Sequence, residues 1–148
     1  MDRMTARWVG IPLARWADSK GLSPGELANA LLEAALLCCA YGGIMGVASG
    51  RVFDAAILVV LMGGWLLLLH RSVPMLSATP GREEGTSASW EAHQVSRLLL
   101  MVSLAIDLAR WLPTPTSFHL AQVMTDTLGV LALCVAGQCI APVRHIKS

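Results

Sequence analysis

Charged residues are scarce in this 148-residue chain: Asp, Glu, Lys and Arg together make up 14% of it, against roughly 25% in an ordinary soluble domain. A small water-soluble fold has a high surface-to-volume ratio and needs a polar exterior. With 55% hydrophobic residues and a mean hydropathy of +0.59, there is too little polar material to build one. Aromatic residues are also few, at 5%. No basic face interleaved with aromatics occurs, so nucleic acid is not an expected partner. The net charge of +1 points to no acidic ligand.

Catalytic and metal-binding patterns are missing as well. There is no G-x-S-x-G, no H-E-x-x-H and no Cys/His nucleophile arrangement, so an enzyme is not expected. The four cysteines, Cys38, Cys39, Cys134 and Cys139, all fall in apolar stretches without a C-x-x-C. Neither a disulfide framework nor a metal site is expected from them. Neighbours on a helix point about 100° apart, so Cys38 and Cys39 chelate poorly, and small apolar filling is the expected role. His70, His93, His119 and His145 lie at segment ends and in loops, which suits no haem, and no cofactor is implied. No cleavable signal peptide is expected, because the first long apolar run starts after residue 26 and lacks a small-residue cleavage pattern.

What the chain does have is four long apolar segments. They predict an all-α integral membrane protein, four transmembrane helices in an antiparallel bundle, with spans of about 27–48, 53–70, 96–112 and 119–141. Each is near the roughly 20 residues that a helical crossing requires. Strand-like alternation is missing, and lipid forces backbone polar groups to pair internally. The first helix has a clear start: Ser23-Pro24-Gly25-Glu26 reads as a capping box with Pro at its first position. Asp54 reads as the N-cap of the second segment. Residues 72–89, rich in Ser, Pro, Gly and Thr, read as a flexible cytoplasmic loop. Pro113-Thr114-Pro115 ends the third segment and Pro142 the fourth. Residues 1–22 form a basic segment with Trp8 and Trp16, suited to the headgroup zone, and Pro12 is expected to interrupt it.

The basic residues orient the bundle. Residues 1–22 hold four of the eleven Lys and Arg, Arg71, Arg82 and Arg97 make three more, and residues 143–148 hold two. Arg51 and Arg110 alone fall at the other end. Under the positive-inside rule both ends of the chain and the 72–89 loop are cytoplasmic, in a multi-pass protein of a bacterial inner membrane.

Ionisable groups inside a membrane are candidates for function. Asp107 and Asp126 are expected at similar depth in the outer half. Arg110 lies three residues past Asp107 on the same helix face, so Asp107, Arg110 and Asp126 are expected to form a polar cluster. Glu33, on the face shared with Glu26 and Asn29, is expected to snorkel toward the inner headgroups. Gly42, Gly46 and Gly50 form a G-x-x-x-G-x-x-x-G stripe, and Gly129 begins a similar smooth face with Ala132 and Ala136. Such faces let helices approach closely and suggest a homo-oligomer or another membrane protein as partner, besides the lipid bilayer. The expected function is a non-enzymatic structural or regulatory membrane subunit. The alternative is a permeation protein, either an ion- or proton-coupled transporter or a holin-like pore former.

Overall fold

The computed structural model describes residues 6–77 and 86–140, with side chains over residues 8–71 and 94–136. Among the described residues every regular element is helical. Helix α1 is π-wound over Ala6–Gly10 and α-helical over Ile11–Ser19. Helix α2 spans Pro24–Ala48. Helix α3 runs through Val52–Ile57, a π-wound stretch Leu58–Gly63, and Gly64–Ser77. Helix α4 is Thr86–Trp111 and α5 is Ser117–Ile140.

Three of these are long and apolar enough to cross a membrane: Pro24–Ala48, Val52–Arg71 and Ser117–Ala136. Helix α4 matches them in length but carries Arg97, Asp107 and Arg110. The start of α2 follows its sequence closely. Ser23 Oγ accepts from the Glu26 amide at 3.2 Å, and the Glu26 carboxylate accepts from the Ser23 amide at 2.7 Å. Two amides that the helix leaves open are thereby paired.

Prolines and the expected caps are handled differently from the sequence reading. Pro12 does not interrupt the first segment. It sits at the second position of the α-helical part, directly after the π-wound Ala6–Gly10, whose wider turn accommodates a residue without an N–H. Asp54 is not the cap of α3. Arg51 holds that position, the helix begins at Val52, and Asp54 lies in the first turn, 3.3 Å from Arg51. Helix α3 also continues past Pro74 to Ser77, and α4 resumes at Thr86. The expected 72–89 loop is therefore helical at both edges. Its middle, residues 78–85, and the 143–148 tail lie outside the described residues.

Helix α5 is the hub: it packs along α2 and α4, and also touches α1 and α3. Helix α2 in turn packs along α3. Gly42 and Gly46 explain the closeness of these pairs. A β-carbon on Gly42 would meet Leu58 Cδ2 at 2.8 Å and Ala121 at 3.1 Å; on Gly46 it would meet Ala55 and Phe118, both at 2.8 Å. Without a hydrophobic drive between helices in lipid, such contact is the main cohesive term. Gly50 has a different task, taking φ +77° in the turn that leaves α2. Leu37, Ile44, Val60, Leu68 and Val102 point outward and stay exposed, the pattern expected where lipid is the solvent.

Candidate polar cleft between α3 and α4

Helices α3 and α4 follow each other in the chain yet part at the end that carries the 49–51 and 112–116 turns. Between them opens a cleft of about 970 Å³ with α5 as its back wall. Its apolar side comes from Ile57, Leu58, Leu61 and Met62 of α3 and Ile106 of α4. Three of these belong to the π-wound stretch, whose wider turn changes which side chains face inward. Within that stretch the Leu58 carbonyl accepts from the Cys39 thiol at 3.5 Å.

The polar side is built from both turns. Arg51 Nη1 lies 2.8 Å from His119 Nε2. A guanidinium carries donors only, so Nε2 is the acceptor and the ring proton sits on Nδ1. Nδ1 then donates to the Thr114 carbonyl at 3.2 Å. His119 is held as one neutral tautomer, with its backbone amide capped by Thr116 Oγ1 at 3.2 Å. The Arg51 guanidinium also lies over the Phe118 ring, 5.3 Å from its centroid.

Of the residues singled out from the sequence, Asp107 and Arg110 line the cleft and Asp126 lies behind Asp107. Asp107 is 7% exposed and Asp126 is 1% exposed. Their carboxyl groups face each other across the α4–α5 contact, with Ser103 beside Asp126. Arg110 Nη1 stands 4.0 Å from Asp107 Oδ1 and its side chain remains 65% exposed. Asp126 Oδ2 and Gln122 Oε1 are enclosed without a hydrogen-bond partner among the described residues. Thr125 and Thr127, by contrast, satisfy their hydroxyls on the carbonyls one turn back, at 2.8 and 2.7 Å.

The helix register sets the level of Asp126. Gly42 stands opposite Ala121, and Gly46 opposite Phe118. Extending that antiparallel register places Asp126 level with residues 37–38 of α2, about 15 Å below the turn at 1.5 Å per residue. That is just to the outer side of the middle of Pro24–Ala48.

Gly42, Gly46 and Gly129 are occupied within the chain: Gly129 receives Leu100 and Leu66 as the first two receive α3 and α5. Arg51 and Asp54 are site residues that the sequence reading did not single out. Arg51 entered it only as a marker of orientation, and its distance of 68 positions from His119 leaves no local signal. Among the described residues no group of three or more His, Cys, Asp or Glu is placed to hold a metal ion. No protein-family model, curated protein or solved structure matches the chain.

Proposed function

We propose that this is a four-span, non-enzymatic protein of a bacterial inner membrane that conducts protons, or a proton-coupled solute, through the cleft between α3 and α4. In this reading α4 is the fourth crossing, and residues 1–22, 78–85 and 143–148 face the cytoplasm. The split of basic residues, nine on one side and two on the other, supports that orientation.

The observation that carries the reading is the Asp107–Asp126 pair: Asp107 lines the open cleft and Asp126, almost fully enclosed, faces it from α5, which in this reading puts both near mid-membrane. Enclosing ionisable groups at that depth is expensive, and they persist where they serve a path. Two carboxyls that face each other, with a cation on one flank, form a natural site for taking up and releasing a single proton. Water reaching the cleft from the turn end would supply it. The apolar wall from Ile57 to Met62 would suit a solute that is itself partly apolar.

The test is proton flux in vesicles reconstituted with the purified chain, driven by a potassium diffusion potential and read by an enclosed pH dye. Asp107→Asn and Asp126→Asn are each expected to lower flux roughly tenfold or more, a typical size for a lost proton-transfer group. Flux equal to wild type in both variants, or wild-type flux equal to empty vesicles, would overturn the reading.

One observation favours a second reading, a structural or regulatory membrane subunit. The cleft lies between α3 and α4 with Arg110 largely exposed, and a helix of another membrane protein would fit there. Recovery of a second polypeptide crosslinked to both walls of the cleft, with no flux, would favour it. The glycine stripes give this reading little help, since Gly42 and Gly46 are already filled from within.

A further inference from the structure

A second pair of ionisable groups lies closer to the opposite end of the bundle. His70 of α3 has its Nε2 4.0 Å from Glu33 Oε1 of α2. The Glu33 side chain is 65% exposed and that of His70 is 32% exposed. Two enclosed atoms beside the pair, His70 Nδ1 and Asn29 Oδ1, have no partner among the described residues. Asn29 stands one helical turn before Glu33, on the same face.

The two levels are close. With Asp126 opposite residues 37–38 of α2, four or five residues separate it from Glu33, about 7 Å along the axis, and His70, level with residues 30–31, is about 10 Å away. Between them the cleft is shut. Leu66 of α3 and Leu100 of α4, 0% and 3% exposed, reach α5 from two sides and meet it at Gly129. A β-carbon there would lie 3.1 Å from Leu100 Cδ1 and 3.5 Å from Leu66 Cδ2. Gly129 is three residues past Asp126, so this barrier is about one side chain thick. Also near this level are Arg71, exposed beside His70, and Arg97 of α4, which lies against Cys134 of α5.

We propose that Glu33 and His70 form an inner proton-exchange site, separated from the Asp107–Asp126 pair by the barrier that Leu66 and Leu100 build on Gly129. This rests on the conduction reading above and assigns its inner end. Glu33, with its exposed carboxyl reaching toward the inner headgroups, exchanges its proton with cytoplasmic water. His70 accepts a proton on one ring nitrogen and gives one up from the other, which leaves the neutral ring as its other tautomer; a flip of the ring restores the starting form. Opening of the leucine barrier admits water between Nδ1 and Asp126 and completes the route. Nothing is oxidised or reduced, and one proton is carried per cycle.

The same vesicle assay tests this, using the full-length chain with Glu33→Gln, His70→Gln, His70→Asn and Leu66→Ser beside Asp126→Asn. Helix content and the thermal midpoint in detergent confirm that each variant is folded. Glu33→Gln and both His70 variants are expected to lower flux roughly tenfold or more, whereas Leu66→Ser, which places a hydroxyl in the barrier, raises it severalfold. If the Glu33 and His70 variants conduct within about twofold of wild type while Asp126→Asn is silent, the inner site is overturned and the cleft reading stands. If Asp126→Asn also conducts normally, both fall. An unchanged Leu66→Ser variant overturns the barrier.

Discussion

Arg51 donates from Nη1 to His119 Nε2 at 2.8 Å, tying the turn after α2 to the first turn of α5. The same guanidinium reaches Asp54 at 3.3 Å and covers Phe118 at 5.3 Å. Removing it with Arg51→Met leaves the Nε2 lone pair of a buried ring without a donor. Since Arg51 is about two-fifths exposed at 41%, solvent screens part of the loss, and about 1 kcal/mol of stability is the expected cost. His119→Phe should cost a similar amount. The double variant should cost less than the sum, with a coupling of about 0.5 kcal/mol or more. Unfolding of the four proteins in mixed micelles measures this; strict additivity would show that the contact contributes nothing.

Glycines in the bundle fall into groups that a single substitution to alanine separates. At Gly46 the added β-carbon meets the Ala55 β-carbon, an atom fixed to the backbone, at 2.8 Å. The α2–α3 pair must spread, at an expected cost of about 1–3 kcal/mol. Gly64, which is also helical, has nothing within 4 Å of the added atom. There alanine should stabilise by up to about 1 kcal/mol, because it reduces the freedom of the unfolded chain. Opposite signs for Gly46→Ala and Gly64→Ala in a thermal scan are the expected result. A neutral Gly46→Ala would mean that α2 and α3 are not packed this tightly.

The contrast between these elements shows what a reader of the sequence can and cannot recover. The capping box at Ser23 is local, four residues long, and chemically specific, and it stands in the structure atom for atom. The long apolar helices are local too, since their character is set by composition over about 20 residues. The cleft is not local. It exists because α3, although consecutive with α4, packs on α2 while α4 packs on α5, a choice made by side chains dozens of positions apart. The start of α3 is also misread from the sequence, where Asp54 stands as the cap. An Asp before an apolar run looks like a cap, and only the turn geometry at Gly50 reveals that Arg51 occupies the cap position. The π-wound stretch at Leu58–Gly63 has no clear sequence signature, yet it supplies much of the cleft's apolar wall.

Ser23 offers a direct measure of how much local capping contributes when most of a helix is held by neighbours. Ser23→Ala removes the acceptor for the Glu26 amide, seen at 3.2 Å. The site is exposed, so water can replace the lost partner, and a cost of about 1 kcal/mol is expected. Ser23→Asp, which preserves an acceptor at the N-terminus of α2, should recover most of it. Thermal midpoints of the two variants in the same detergent distinguish this from a general effect of altering the α1–α2 connection; equal loss in both would rule out the cap as the cause.

Helix α4 determines how many times the chain crosses the bilayer, and its charges make that a sharp question. Arg97, Asp107 and Arg110 would be hard to place in lipid singly. Here Asp107 faces Asp126 and lies 4.0 Å from Arg110, while Arg97 sits against Cys134. Each charge therefore has a polar neighbour on α5 or on its own helix, which lowers the cost of burial. With α4 inserted, residues 78–85 and residues 143–148 lie on one side and the 112–116 turn on the other. With α4 left at the surface, residues 143–148 would face the opposite side from residues 78–85. Reporter domains fused after residue 82, after residue 114 and after residue 148 separate the two cases. Alkaline phosphatase activity only at 114, with cytoplasmic fluorescence of a fused fluorescent protein at 82 and 148, is the expected outcome. Phosphatase activity at 148 would overturn the proposed fourth crossing, and with it the proposed membrane position of the Asp107–Asp126 pair.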